Sequence, residues 1–426
     1  MPTQPPVPPP AVAADGVVGA TVAVLFGGPS PEHDVSILTG LQALHELGRA
    51  GRRAFGIYWS KVGDFYRVEG LPEAKEFAAG LPPRSERLAL VAGPGAGGHG
   101  GVGSGGGFHT RGRLRMQRMD LDVVLNCCHG GPGEDGAIQG MLDSAGVLYT
   151  GQGAAGSSLC MDKLAFHGVA GALGIPTLPR RLLPGRGPAG GDALGGRSHL
   201  GSEVQGGPGA SGGPTPAPLV IKPRYGGSSI GVEVVADMAT AVARASVSPH
   251  LGRGAVVEPY RSDLVDLNVA MRSWPSFQLS AIERPLKQIS SNEILAFDDK
   301  YAGFEGMAGA PRELPAKIDG ETADAVAGMS REIAAAISLR GVVRVDFLWG
   351  GGAGGAEAGA ELYLNEVNSI PGSLSRYLWI EPPLAFLQLI DDLVAEALAG
   401  PPAVYGTSGA DGALLDRAVR MASKLA

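Results

Sequence analysis

Alternation of apolar and polar residues is sharpest between residues 342 and 372, where VVRVDFLW and ELYLNEVNSIPG flank a glycine-rich spacer. Side chains along a strand point alternately to opposite faces. Val343, Val345 and Phe347 therefore share one face of the first strand and Arg344 and Asp346 the other, while Glu366 and Asn368 share a face of the second. Paired as a hairpin across residues 350–359, the strands collect Arg344, Asp346, Glu366 and Asn368 on one surface. Oxygen donors of this kind suit magnesium, which takes one or two carboxylates and completes its shell with water and phosphate oxygens. An ordinary amphipathic hairpin with a charged outer face has the same pattern, and spacing alone does not separate the two.

Elsewhere apolar runs end in glycine turns that open helices. TVAVLFGG reads as a strand and SPEHDVSILTGLQALHEL as a helix, with Ser30 as its cap, Pro31 at its first position and an apolar stripe of Val35, Leu38, Leu41 and Leu44. In such α/β units ligands sit at the carboxyl ends of strands, which puts Glu32 at a site edge; an acid favouring a helix N-terminus is the plainer reading. DLDVVLNCCHGGPGEDGAIQG repeats the plan, with His129 read as a structural histidine and Glu134 as a cap. SSLCMDKLAFHGVAGALG reads as one helix with Lys163 in its first turns.

PLVIKPRYGGSSIGVEVV reads as two strands, the first carrying Lys222, around a turn of Gly226, Gly227, Ser228 and Ser229. Its N–H and hydroxyl groups suit phosphate oxygens, although a plain glycine-serine hairpin looks the same. AVVEPYRSDLVDLNVAM places Glu258 on a strand before an irregular Pro-Tyr joint of the kind that reads adenine through its backbone. FDDKYAGFEGMAG, with Lys300 and Tyr301, is a polar loop long enough to serve as a lid. Helices are predicted over 321–338, 383–398 and, more weakly, 414–425.

Composition narrows the partners. A net charge of -7 and a pI near 5.7, without a basic block, argue against nucleic acid or an anionic membrane and for a small molecule. The 3 cysteines form no CxxC pair, which points to a reducing cytoplasm rather than a disulfide or zinc framework. No apolar run reaches the length of about eighteen residues that marks a membrane helix, and the proline-rich start reads as a disordered tail. The 68 glycines and 33 prolines concentrate at 93–107, 185–218 and 350–359, which read as inserted loops. A length of 426 residues fits about two or three domains.

In chain order, FGGPSPEHDVS, HGGPGEDGAIQG, MDK, IKPRYGGSSIGV, DDKY, RVDF and NEVNSIPG resemble the D-alanine:D-alanine ligases of the ATP-grasp superfamily over most of residues 20–400. The resemblance implies an α/β, three-domain ATP-grasp architecture. A substrate domain would occupy 20–156, a central domain 157–258 with an insertion at 185–218, and a catalytic domain 259–400, between tails at 1–19 and 401–426. It assigns Lys163, Lys222 and Lys300 to the ATP side, with Ser229 in the phosphate-side loop and Glu258 beside adenine. It gives Asp346, Glu366 and Asn368 to Mg²⁺ or Mn²⁺, and Glu32, linked to Ser228 and Tyr301, to the first amino acid's ammonium. Arg344 and the Gly372 N–H become the oxyanion donors.

The implied reaction turns one D-alanine into an acyl phosphate with ATP and lets a second attack it, supplying the peptidoglycan precursor of the cell wall. Small-molecule substrates, no nucleic acid, no membrane and a cytoplasmic location go with it, and a homodimer is left open. An ATP-grasp ligase with another acceptor, an amino acid or hydroxy acid, is the alternative; a non-catalytic nucleotide-binding protein is the third. Two departures stand out. Asp266 lies one residue beyond the place of the family's ribose-binding glutamate, and Tyr377 stands where the family carries a small hydroxyl near the second amino acid, unless a two-residue gap brings in Ser375.

Overall fold

A computed structural model describes residues 14–93, 105–111, 116–185, 203–204, 217–286, 311–351, 359–400 and 411–425. Lys300 and Tyr301, and with them the predicted lid, lie outside the described residues, as do residues 1–13 and most of the three glycine-rich patches.

Three main sheets follow one another along the chain. The first has seven strands, with Val22–Gly27 running parallel to both Ala54–Trp59 and Val123–Asn126. All six residues of VAVLFG are buried, as expected of a parallel strand covered on both faces. The helix His33–Arg49 packs against it through Ile37, Leu41 and Leu44. Two details of the sequence reading change here. Ser30 does not cap this helix: its hydroxyl accepts the Glu32 N–H at 3.1 Å in the turn before the helix, and Glu32 itself is the first flanking residue. Leu38 is 39% exposed, because the buried stripe runs through Ile37 instead. Residues 14–19, read as part of the disordered tail, form a short helix whose Val17 is buried in the same core.

The predicted helix around Lys163 is two helices, Ala154–Met161 and Lys163–Ala172, broken at Asp162. Asp162 leaves helical geometry to accept the N–H groups of Leu164 and Ala165 at 3.1 and 3.2 Å, while Arg224 grips its carboxylate at 2.8 and 2.6 Å. The break makes Lys163 the first residue of the second helix and fixes where its side chain starts.

A five-stranded antiparallel sheet follows, with Leu219–Pro223 between Glu233–Val235 and Ala255–Pro259. Next comes a four-stranded antiparallel sheet, in which Val342–Trp349 lies between Val265–Arg272 and Leu362–Asn368. The predicted central hairpin is present, with Arg344 opposite Asn368 and Asp346 opposite Glu366, and a register shift just after Asp346. Its other face is fully apolar: Val343, Val345 and Phe347, with Leu267, Val269 and Met271 beside them, are buried in one core with Val326 and Ile333 of the helix Gly320–Ala336. At about 1.5–3 kcal/mol for each large apolar side chain, this packing fixes which face of the hairpin turns outward. Among the described residues no helix is long and apolar enough to cross a membrane.

Candidate active site

The polar face of the hairpin meets the carboxyl ends of the first sheet's strands across a cleft enclosing about 640 Å³, open solvent included. Glu32, Lys163, Ser228, Arg344, Glu366 and Asn368 line it, together with the backbone around Gly372. These residues come from four separate stretches of the sequence reading, and the fold brings them to one place.

At one end, Ser228 donates its hydroxyl hydrogen to Glu32. The backbone must come very close to this carboxylate: a Cβ on Gly130, which has φ +63, would lie 2.1 Å from Glu32 Oε2. Only glycine fits there. Ser228 and Ser229 adopt left-handed conformations, φ 51 and 60, that fold the turn after Leu219–Pro223 over the cleft. Lys163 reaches the same turn by donating to the Gly226 carbonyl, and its ammonium lies 3.3 Å from Glu366.

At the other end, Arg344 binds Asp346 with two parallel hydrogen bonds of 2.7 Å, the forked geometry that makes such pairs strong. Burial opposes the charge of Arg344, but Asp346 outweighs it and holds the guanidinium firmly protonated. Asn368 adds a hydrogen bond of 2.8 Å to Asp346.

Two of the expected ATP-side residues lie deeper. Lys222 Nζ sits 3.1 Å from Glu258, whose carboxylate also faces Arg180 Nε at 3.0 Å. Glu258 is 1% exposed; burial alone would raise its carboxyl, yet Arg180 and Lys222 hold it below the ordinary range. Neither Lys222 nor Glu258 lines the cleft described above.

Reading the sequence undervalued His129 and Glu134, both of which line the cleft. Glu134 accepts hydrogen bonds from the N–H groups of Gly130 and Ile370, at 3.0 and 2.9 Å, and from the Ser369 hydroxyl at 3.2 Å. Burial, with Glu32 nearby, pushes its carboxyl up to about 7. His129 Nδ1 lies 2.8 Å from the Ile370 carbonyl, which can only accept, so the proton is on Nδ1. Nε2 then accepts from Thr39 at 2.7 Å, and Thr39 in turn accepts the Ser373 N–H at 3.1 Å. Burial lowers His129 to about 4, which keeps the ring neutral. The doublet of glycines after each strand was the available signal: His129 and Glu134 flank such a turn just as Glu32 follows one.

Comparison with known proteins decides the family. Models described as "D-ala D-ala ligase N-terminus" and "D-ala D-ala ligase C-terminus" match residues 21–152 and 215–395. The chain belongs to the D-alanine–D-alanine ligase family. A D-alanine–D-alanine ligase of Sodalis glossinidius is 30% identical over 387 residues, 89% of this chain and 95% of that protein. The solved D-alanyl-alanine synthetase A of Vibrio cholerae has a TM-score of 0.65 at 19% identity, covering 90% of this chain and 99% of its own. A D-Ala:D-Ser ligase of Enterococcus faecalis gives 0.63 at 21%, over 89% and 99%. The architecture is accordingly that of an ATP-grasp ligase.

The family's ATP and Mg²⁺ set a chemical test for the hairpin. Among the described residues there is no group of three or more His, Cys, Asp or Glu able to hold a metal. Magnesium does not need one: two carboxylates on adjacent strands, Asp346 and Glu366, with an amide from Asn368, supply a sufficient set of hard donors. Both carboxylates already face cations of the protein, Arg344 and Lys163, so their charge is balanced locally.

Proposed function

We infer that the protein is an ADP-forming ligase that joins two D-alanines through an acyl phosphate. Such a dipeptide is the precursor used in peptidoglycan synthesis. The observation that carries this reading is the meeting, in one cleft, of the Glu32–Ser228 pair with Arg344, Glu366 and Asn368 of the hairpin, Asp346 standing behind them and bonded to Arg344 and Asn368.

In this reading Glu32, oriented by Ser228, takes the ammonium of the first amino acid and turns its carboxylate toward the γ-phosphate. Lys163, Lys222 and the Ser228–Ser229 turn hold the nucleotide's phosphates, with Glu258 behind Lys222 and Lys300 in support. Asp346, Glu366 and Asn368 would hold Mg²⁺, whose charge would offset that of the transferring phosphoryl group. When the second amine attacks the acyl phosphate, negative charge develops on the former carbonyl oxygen. Arg344 and the N–H of Gly372 are the donors aimed at it, and phosphate leaves. The resemblance assigns Tyr301, which lies outside the described residues, to the same group as Glu32 and Ser228. Domains at 20–156, 157–258 and 259–400, a cytoplasmic location and a homodimer belong to the same proposal.

The test is release of ADP and phosphate by the purified chain with ATP and Mg²⁺, against a panel of D- and L-amino acids. D-alanine should stimulate release in step with dipeptide formation; absence of stimulation by every amino acid would overturn the reading.

A further inference from the structure

The polar row on the catalytic hairpin extends further than the ligands it was expected to carry. Glu366, Asp346, Asn268 and Glu283 are successive cross-strand neighbours, each directly opposite the next. Directly opposite residues share a face of a sheet, so these four form one line of polar side chains. Asn268 and Glu283 exchange backbone hydrogen bonds of 2.9 and 2.8 Å, which fixes the register. With its amide turned to satisfy both neighbours, Asn268 donates to Asp346 at 3.3 Å.

Glu283 does not line the cleft, and it is 3% exposed. A carboxylate buried this deeply is costly unless it is paired. Its partner is Arg312, at 2.9 Å, and the Arg312 guanidinium lies 4.3 Å above the ring of Tyr377, within the range of a cation–π contact. Tyr377 follows the Gly372 turn, so this group joins the ribbon strands Arg284–Pro285 and Arg312–Glu313 to the turn that carries the proposed oxyanion donor. Burial raises the Glu283 carboxyl while Arg312 and Arg344 draw it down, and Glu283 in turn supports the charge on Arg344. Arg344 is thus acted on by two carboxylates, Asp346 by direct hydrogen bonds and Glu283 through its field.

We propose that Glu283 is a positioning residue for Arg344, held in place by Arg312 on its Tyr377 seat, and that it sets where the guanidinium stands when oxyanion charge develops. It touches neither substrate nor metal. The proposal rests on the ligase reading, in which Arg344 is an oxyanion donor.

The experiment compares wild type with Glu283→Gln and Glu283→Asp. Measurements are kcat, KM for ATP and for D-alanine, melting temperature, and inhibition by a phosphinic-acid dipeptide whose phosphinyl oxygens imitate the tetrahedral intermediate. Glu283→Gln should lower kcat at least tenfold and weaken the phosphinate by a similar factor. Both KM values should stay within twofold, and Glu283→Asp should recover part of kcat. A folded Glu283→Gln variant with unchanged kcat, or one whose loss lies in KM for ATP, overturns the proposal. If Glu283→Gln does not fold, the charge-balanced Glu283→Gln/Arg312→Gln pair is held to the same criteria. A wild-type protein without D-alanine-dependent ADP release refutes the ligase reading instead, so the two failures are distinct.

Discussion

The carboxylate of Glu134 accepts the backbone N–H of Ile370 at 2.9 Å, a bond between residues 236 positions apart. With His129 holding the Ile370 carbonyl at 2.8 Å, both backbone groups of Ile370 are gripped from the first sheet. Gly372, two residues on, inherits that constraint. The Gly372 side of the cleft is therefore built by the N-terminal part of the chain as much as by the hairpin.

This grip has a pH signature. Glu134 titrates near 7 in the folded protein, above the ordinary carboxyl value of 4.5. A raised folded value means that the native state holds a proton the unfolded chain has released, so stability falls as pH rises from 4.5 through 7. Glu134→Gln removes this term. Its melting temperature relative to wild type should rise as the pH goes from 5 to 8. A difference that stays flat or falls over that range counts against the assignment. His129, lowered to about 4, is neutral in the folded protein but ordinary in the unfolded chain, so it makes stability rise with pH up to about 6.5; that slope is common to wild type and variant and cancels in their difference.

How much of this was legible beforehand depended on range. The hairpin's alternation was plain because its apolar face is complete: one slip of register would expose Val343, Val345 and Phe347 together. Glu32 and Ser228 were each visible as turn residues, but their hydrogen bond spans 196 positions and no local pattern encodes it; only the family resemblance linked the two. The same holds for Arg180, which reaches Glu258 from a strand of unremarkable sequence. The break at Asp162 was hidden because an aspartate looks alike inside a helix and at its cap, and only Arg224 decides between them.

Asp346 is tied to Arg344 more closely than a metal ligand on an open surface would be, with side-chain exposures of 9% and 11%. Asp346→Ala therefore leaves a buried arginine without its partner, a loss of about 3–5 kcal/mol. The expected result is an inactive and clearly destabilised protein. Glu366→Gln acts on a carboxylate 25% exposed and should abolish turnover with a melting temperature within a few degrees of wild type. Activity and thermal melts on the two variants check this; equal destabilisation would show that Glu366 is structural.

A change at Lys222 is expected to separate nucleotide from amino-acid binding. It lies 3.1 Å from Glu258 and 3.4 Å from the side-chain oxygen of Asn365, away from the Glu32 end of the cleft. Lys222→Met should raise KM for ATP about tenfold or more, the scale set by losing one charge-assisted hydrogen bond of about 1.5–3 kcal/mol, and leave KM for D-alanine within twofold. Parallel weakening of both substrates would remove Lys222 from the phosphate side.

Ser375 and Tyr377 were the two candidates for the small hydroxyl that the resemblance places near the second amino acid. Neither lines the described cleft. Ser373, Leu374 and Ser375 all take left-handed conformations at φ 51, which turns this segment away from an extended path and buries Ser375 completely. Among the described residues the Ser375 hydroxyl has no hydrogen-bond partner, so Ser375→Ala removes an unsatisfied polar atom and should be neutral or mildly stabilising. Tyr377 lies over Arg312, and Tyr377→Ser deletes that ring from a packed site, a cost of about 3–5 kcal/mol by analogy with other aromatic truncations. Acceptor choice should survive both changes, with D-alanine still preferred over D-serine and D-lactate. Competition between these acceptors in each variant is the measurement. A rise in the apparent acceptor KM confined to Ser375→Ala would restore Ser375 to the second site, whereas a switch of acceptor in Tyr377→Ser would show that the phenol reads the incoming amino acid.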